Sequence, residues 1–193
     1  MEFPGVITYS DSLVKKSENI PPISYCYLGC VIAHELGHMW FGNYVTMKWW
    51  NDLWLNESFA TYSASLAVSK VTRFKDEAWH SFNRTKNWAY WEDQLPTTHP
   101  IEADVPDTMQ ALANFDGITY GKGAASLKLL HYNIGDTAFQ KGLESYFKTY
   151  AEKNTTLSDF VGSLEKASGQ NLADWRQKWL QTASLNTITV DLQ

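Results

Sequence analysis

A short run of residues, HELGH from His34 to His38, has the types and spacing needed to bind a metal ion. On an α-helix, residues four apart lie on the same face, with Cβ atoms about 5–6 Å apart. That spacing would let both imidazoles reach one zinc ion at about 2.0–2.1 Å. Glu35 follows the first histidine directly, so its carboxylate could act as general base on a water molecule bound to that ion. The run predicts a catalytic zinc site on a helix.

A catalytic zinc ion usually takes a third protein ligand and leaves one position for water. The best candidate is Glu57 in the run WLNE, 19 positions after His38 and on the next predicted helix. Two adjacent antiparallel helices could bring the three side chains to one ion. Asp52 and Glu77 are weaker alternatives, because Asp52 could cap a helix start and Glu77 lies in a charged stretch. The alternative that both histidines are ordinary helix residues is disfavoured, since two carboxylates accompany them at suitable positions.

The elements that would position these residues are mostly helical. Apolar and histidine positions recur at helical spacing from Ser24 to about Phe41, where Gly42 and Asn43 would stop the helix. Pro-rich loops are predicted over 11–22 and 94–108. Strands are predicted over 1–9 and 187–192. Further helices are predicted over 53–69, 72–92, 108–115, 122–132, 136–151, 156–167 and 172–182.

Composition limits the class of protein. The 193 residues are 44% hydrophobic and carry a net charge of −5, which fits one globular domain and argues against nucleic-acid binding. No run of 18 apolar residues predicts a membrane span, and no signal-peptide pattern is recognised. We expect a soluble chain whose compartment the sequence leaves open, with the cytoplasm slightly favoured. Cys26 and Cys30, four apart on a helix, are predicted to be buried thiols.

The run from His34 to Tyr62, HELGHMWFGNYVTMKWWNDLWLNESFATY, closely resembles the M1 zinc aminopeptidases. In that family, H-E-x-x-H is followed at the same spacing by a Glu within the phrase W-L-N-E-G-F-A. The start of the chain, MEFPG, resembles the last part of the family's G-x-M-E-N motif. The run YGKG, from Tyr120 to Gly123, resembles its Y-x-K-G motif, and Pro106 and the pair Phe115-Asp116 fit the pattern before it. The resemblance covers nearly the whole chain.

The resemblance implies a fold and a domain arrangement. The family fold is thermolysin-like, with zinc between a β-containing lobe and a helical lobe. We expect a mainly α fold with a small β portion (α+β), in which the N-terminal β lobe is truncated. Residues 1–184 would be a partial catalytic domain, and residues 185–193 would begin a following β segment or linker. Family members carry flanking N-terminal and C-terminal domains, which are expected to be missing from this chain.

The resemblance also implies an activity, the release of N-terminal residues from peptides with a free N-terminus. One Zn²⁺ per chain would be bound by three residues, His34, His38 and Glu57. Glu35 would be the general base, Tyr120 would stabilise the oxyanion, and Glu2 would bind the α-ammonium group of the substrate. Three positions depart from the family pattern: Phe3 replaces Asn, Ser58 replaces Gly, and Ala64 replaces a common Glu.

Other functions remain open from the sequence. An inactive fragment or scaffold derived from the family is one, and a related zinc endopeptidase or epoxide hydrolase is another. The glycines around Lys122 do not predict a phosphate loop, because the spacing differs and no Ser or Thr follows that lysine. The remaining histidines are expected to be structural or exposed rather than metal ligands: His80, His99 and His131.

Overall fold

The computed structural model describes residues 1–14, 19–183, 185–186 and 188–191. Two three-residue strands, β1 (Val45–Met47) and β2 (Lys153–Thr155), form a small sheet. Its α-helices are α1 (Pro22–Gly37), α2 (Leu53–Val71), α3 (Lys75–Glu92), α4 (Thr108–Ala113), α5 (Gly123–Ile134), α6 (Asp136–Tyr150), α7 (Leu157–Ser168) and α8 (Ala173–Trp175). Turns of 3-10 helix lie at Asp11–Leu13 and Trp50–Asp52, and π-helical turns lie at Ile118–Lys122 and Arg176–Leu180. The predicted mainly α fold with a small β portion is confirmed.

Helix α2 lies at the centre, with α1, α3 and α5 packed around it. Its buried residues occur on every face rather than along one stripe, which is the pattern of a helix enclosed by others. Phe59 of α2 stacks on Phe41, with ring centroids 4.0 Å apart, and meets Phe160 of α7 edge-on at 4.9 Å. Burying aromatic rings of this size contributes about 1.5–3 kcal/mol each. The core therefore fixes α2 against the segment that follows α1.

The small sheet ties the loop after α1 to the loop before α7. Strands β1 and β2 are parallel, with Val45 opposite Lys153 and Met47 opposite Thr155. The backbone N–H of Lys48 continues the ladder by donating to the Thr155 carbonyl at 2.7 Å. Neither strand was predicted, because three residues are too few to show an alternating pattern. The sheet restrains the connection between the two helices that carry the predicted metal ligands.

All eight predicted helices are present, although their bounds differ by a few residues. Helix α1 ends at Gly37 and is followed by tighter turns. In these turns the Met39 N–H donates to the Leu36 carbonyl and the Trp40 N–H donates to the Gly37 carbonyl. Helix α3 begins at Lys75 rather than at Thr72. The Thr72 hydroxyl donates to the Val68 carbonyl and accepts from the Phe74 N–H, and such local bonds compete with helix formation.

The predicted strand over residues 1–9 is wrong. The chain instead turns at Pro4 and Gly5, where Gly5 has a φ of +88°. The N–H of Val6 bonds to the Phe3 carbonyl, and the N–H of Thr8 bonds to the Met1 carbonyl, so the segment folds back on itself. A hairpin-like segment that pairs with no further strand gains little stability from strand hydrogen bonds, so regular strand structure is not favoured here.

The second predicted strand, over residues 187–192, is also not observed in the part that the structure describes. Thr187 and Leu192 lie outside the described residues, and the intervening residues 188–191 have no strand structure. Ile188 and Val190 are largely exposed there. The β-branched composition that suggested a strand is not sufficient without a neighbouring strand to pair with.

The two thiols are free, as expected, with Cys26 buried and Cys30 partly buried. Burial raises the pKa of the Cys30 thiol to about 12, so this side chain is a neutral apolar contact rather than a thiolate.

Among the helices that the structure describes, none combines the length and the apolar character that crossing a bilayer requires.

Candidate active site

The side chains of His34, His38 and Glu57 converge between α1 and α2. His34 Nε2 lies 3.2 Å from Glu57 Oε2, and His38 Nε2 lies 3.4 Å from the same oxygen. The two Nε2 atoms are 3.1 Å apart. The helices can approach closely here because Gly37, between the histidines, faces α2; a Cβ at position 37 would lie 2.9 Å from Ser63 Oγ and 3.4 Å from the Ala60 Cα.

These three distances fit a tetrahedral metal site. Ligand atoms placed about 2.0–2.1 Å from a tetrahedral zinc ion lie about 3.3 Å from one another. The observed separations of 3.1, 3.2 and 3.4 Å match that edge length without any movement of the side chains. Two imidazoles and one carboxylate are also the donor set of many catalytic zinc sites, which leave a fourth position for water.

The hydrogen bonds of the ring nitrogens favour the same conclusion. His38 Nδ1 lies 3.0 Å from the Phe41 carbonyl oxygen, so this nitrogen carries the proton and Nε2 presents a lone pair. His34 Nδ1 faces the Thr61 hydroxyl at 3.4 Å. Glu57 Oε2 is buried and has no conventional hydrogen-bond donor. Several lone pairs directed at one point in a buried place repel one another unless a positive charge, either a bound cation or a proton on a ring nitrogen, lies between them.

The electrostatics of the three residues are strongly coupled. Burial alone would raise the pKa of Glu57, but the contacts from His34 and His38 outweigh it and lower this pKa to about 2. For His38, burial lowers the pKa and the Glu57 carboxylate raises it, with a net upward shift. Glu57 is therefore ionised at neutral pH, which is the state that a metal ligand needs.

Two more carboxylates lie beside this cluster. Oxygen atoms of Glu2 and Glu35 and a ring nitrogen of His38 lie within 4.8 Å of one another. The Asn43 side chain donates to the Glu2 backbone carbonyl at 2.7 Å and so fastens the first segment to the turn after α1. The Met1 nitrogen lies 3.0 Å from Glu35 Oε2. Glu35 is on the same helical turn as His34, with its carboxylate beside the convergence point.

Tyr120 closes the site from the opposite side. Its ring stacks over His34, with centroids 5.9 Å apart and planes 15° apart, and the Trp88 ring also lies near it, with centroids 6.1 Å apart. Burial raises the pKa of the Tyr120 hydroxyl, the charge of Glu57 and a hydrogen bond to its carboxylate raise it further, and the charges of Glu2 and Glu35 add to the shift. The hydroxyl therefore stays protonated and is available as a hydrogen-bond donor throughout the neutral range.

Comparison with known proteins assigns the family. Residues 1–179 match the model of the peptidase family M1 domain. The chain belongs to peptidase family M1.

Several of its curated relatives carry aminopeptidase names. The chain is 48% identical over 195 residues to Aminopeptidase N of Streptomyces lividans, covering 100% of the chain and 23% of that protein. It is 42% identical to Probable aminopeptidase 2 of Sulfurisphaera tokodaii, covering 93% of the chain and 23% of the relative. It is 37% identical to Leucyl aminopeptidase of Saccharolobus solfataricus, covering 100% and 24%. The chain thus spans about a quarter of the length of these M1 relatives.

The two weaker candidates for the third ligand lie elsewhere in this M1 chain. Asp52 is buried, and its Oδ2 accepts from the Leu157 N–H at 3.2 Å, so it caps α7 rather than its own helix α2. Burial and the charge of Glu102 raise the pKa of Asp52 to about 6. Glu77 belongs to neither of the two candidate metal-binding groups found among the described residues.

Three features around Tyr120 were not recognised from the sequence. Ser58, at the position where M1 sequences usually have Gly, donates its hydroxyl proton to the Thr119 carbonyl at 2.6 Å. The bond joins the helix of Glu57 to the π-helical turn that carries Tyr120. Gly121 lets this turn lie against α3, since a Cβ there would come 2.5 Å from the Thr85 carbonyl oxygen. The glycines of the YGKG run thus serve close packing.

The third feature is the pairing of His99 with Asp116, which lie 17 positions apart in sequence and 2.6 Å apart at Nε2 and Oδ2. A signal for it existed in the sequence, because Asp116 fits the M1 pattern before Tyr120. The sequence spacing, however, did not indicate which side chain would bind the Asp116 carboxylate. The sequence interpretation of His99 as a structural residue rather than a metal ligand agrees with this contact.

Proposed function

We propose that this chain provides the zinc-binding catalytic centre of an M1 aminopeptidase, which releases N-terminal residues from peptides. The observation that carries the proposal is the convergence of His34, His38 and Glu57 at 3.1 to 3.4 Å, the edge length of a tetrahedral zinc site. The aminopeptidase names of the relatives support it. Each chain would bind one Zn²⁺ ion through these three residues.

A zinc ion in this place would supply a Lewis acid for the scissile carbonyl and a water molecule whose pKa is about 7. Glu35 takes the proton of the attacking water as general base and later gives it to the leaving amine as general acid. Its position one residue after His34, with its carboxylate beside His38, suits both transfers.

Tyr120 and Glu2 hold the two ends of the reacting group. The Tyr120 hydroxyl donates to the oxygen that becomes negative as water adds, an interaction that strengthens in the transition state. The Glu2 carboxylate pairs with the free α-ammonium group of the substrate. Fixing that ammonium group beside Glu35 places the first peptide bond at the metal centre, which selects N-terminal cleavage over internal cleavage.

The domain arrangement is a proposal as well. Residues 1–184 would form part of one catalytic domain, and residues 185–193 would lead into a linker or a β segment. Limited proteolysis tests this division: cleavage should accumulate after about residue 184 and leave a stable product. Rapid cleavage inside 22–168 under the same conditions would argue against it.

Metal analysis and a base-deficient variant test the function. Elemental analysis should find one zinc per chain in the purified protein and in Glu35→Gln. Only the parent should hydrolyse an aminoacyl-anilide with a free amine, because the variant keeps the ligands and loses the base. Glu77→Gln is the matched control, and it should retain both zinc and activity.

The outcomes separate the alternatives. A folded chain that binds no zinc would defeat the proposal. Zinc binding without hydrolysis by the parent would indicate an inactive scaffold. Cleavage of an N-acetylated peptide at a comparable rate would indicate an endopeptidase, and turnover of an epoxide substrate alone would indicate an epoxide hydrolase.

A further inference from the structure

Tyr120 lies on a π-helical turn, Ile118–Lys122, that is anchored by side chains outside it. Asp116 lies just before the turn, and its Oδ1 accepts from the Thr119 N–H at 2.9 Å. The Asp116 backbone carbonyl accepts from the Tyr120 N–H at 3.0 Å. Asp116 therefore caps the turn in the way that an N-cap residue caps an α-helix. Its side chain fixes the Thr119 amide, and the Glu92 carboxylate, which accepts from the Gly117 N–H, fixes the residue between Asp116 and the turn.

His99 holds the Asp116 carboxylate in place through its second oxygen atom, Oδ2. His99 Nε2 lies 2.6 Å from Asp116 Oδ2, and His99 Nδ1 lies 2.6 Å from the Pro100 carbonyl oxygen. Both of these partners are acceptors, so each ring nitrogen must donate a proton and the ring is an imidazolium. The pair is largely buried, with 18% of each side chain exposed. A charged hydrogen bond in such a place is stronger than one between neutral groups.

The residue before His99 anchors the other end of the turn. The Thr98 hydroxyl donates to Asp93 Oδ1 at 2.7 Å, and Asp93 Oδ2 lies 2.7 Å from the ammonium group of Lys122. Lys122 is the last residue of the π-helical turn. Two consecutive loop residues therefore reach both ends of the segment that carries Tyr120, one through Asp116 and the other through Asp93.

We propose that His99 is a positioning residue, which through Asp116 holds the turn that carries the Tyr120 hydroxyl to the metal centre. No atom of His99 needs to touch a substrate for this role. Without the imidazolium, the Asp116 carboxylate can rotate away from the Thr119 N–H, and the turn loses its cap. The importance of this position for hydrolysis rests on the proposed function, whereas the position of the ring can be measured without any activity.

The first test is a spectroscopic one on the full chain. The protein is labelled with 3-fluorotyrosine, and the ¹⁹F resonance of Tyr120 is assigned by its loss in Tyr120→Phe. In His99→Leu this resonance should shift or broaden, because the ring leaves its fixed place over His34. In the matched control His80→Gln, at an exposed histidine on α3, it should keep its parental position. An unchanged Tyr120 resonance in folded His99→Leu would overturn the proposal.

A second variant covers the possibility that His99→Leu fails to fold. Asp116→Asn retains an oxygen that can accept from Thr119 N–H but turns an amide donor toward the imidazolium, so it breaks the link to His99 alone. The same resonance should shift, by less than in His99→Leu. His99→Gln, which restores one donor toward Asp116, should bring the resonance back toward the parental position. A parental spectrum for Asp116→Asn would count against the proposal as well.

Kinetics then separate this proposal from the proposed function. His99→Leu should lower kcat about tenfold with little change in KM, as expected for a partner that orients a reacting group. In a Tyr120→Phe background it should lower kcat little further, since the group it positions is absent. If Tyr120→Phe itself leaves hydrolysis unchanged, the role given to Tyr120 fails. If Tyr120→Phe lowers kcat and His99→Leu lowers it by the same factor in both backgrounds, only the role of His99 fails.

Discussion

Replacing Tyr120 by Phe removes one hydroxyl and leaves the rest of the site in place. The ring should keep its stack on His34 at 5.9 Å and its contact with Trp88, since neither involves the oxygen. Glu57 loses the hydrogen bond from this hydroxyl but remains an ionised carboxylate, so zinc content should stay close to that of the parent. The hydroxyl has a raised pKa and stays neutral, so no charge is lost near Glu57 or Glu35. The change isolates a single hydrogen-bond donor.

The expected loss follows from the role given to that donor. Removing one preorganised donor to a developing oxyanion costs roughly 10²–10³ in kcat, or about 2.7–4 kcal/mol. KM should change little, because the bond forms mainly in the transition state. The limbs of the pH–rate profile between about pH 6 and 9 should stay where they are, since Tyr120 does not titrate in that range.

The assay measures kcat and KM with an aminoacyl-anilide, together with zinc per chain. Tyr132→Phe is the control, since Tyr132 lies on α5 and is 86% exposed. If Tyr120→Phe kept kcat within about threefold of the parent, a change under about 1 kcal/mol, Tyr120 would not be the oxyanion donor. A large loss of zinc in the same variant would instead show that the residue supports the metal ligands.

The remaining predictions concern stability. Asp52→Asn keeps an acceptor for the Leu157 N–H but removes a buried carboxylate whose pKa is raised to about 6. The folded protein binds this proton more tightly than the unfolded chain, so the ionised group opposes folding above pH 6, and that cost disappears as pH falls below about 4. The variant should be more stable by up to about 3 kcal/mol at pH 8 and unchanged at about pH 3 in urea unfolding; a gain equal at both pH values would contradict this. Gly121→Ala should destabilise by about 1–3 kcal/mol, because its Cβ would come 2.5 Å from the Thr85 carbonyl, whereas Gly162→Ala, with open space around it, should not; equal thermal midpoints for both would contradict the packing role.

The helices could be predicted because their signals are local. Apolar residues recur at helical spacing along α3, and Thr156 with Asp159 forms a capping box at the start of α7. The metal ligands could be predicted for the same reason, since His34 and His38 lie one helical turn apart and Glu57 lies on the next helix. Tyr120 and Glu2 could be found only through the resemblance to a family.

Contacts between distant segments could not be read from the sequence. The pairing of β1 with β2 joins residues more than a hundred positions apart, and a three-residue strand has no pattern of its own. Residues 1–9 have β-branched composition but no strand to pair with, so the prediction there failed. In both cases the outcome depends on which segments become neighbours, and composition does not specify neighbours.

The sequence by itself determined which reactive groups this protein has. These are two imidazoles one helical turn apart and a carboxylate on the next helix, together with a tyrosine and two further carboxylates. Only the tertiary structure decided how Tyr120 reaches the other groups. Ser58, Asp116 and His99 belong to three separate segments: Ser58 and Asp116 hydrogen-bond to the π-helical turn, and His99 acts on it through Asp116. Hydrogen bonds form between atoms within about 3 Å and in suitable directions, conditions that exist only after the core has brought the segments together.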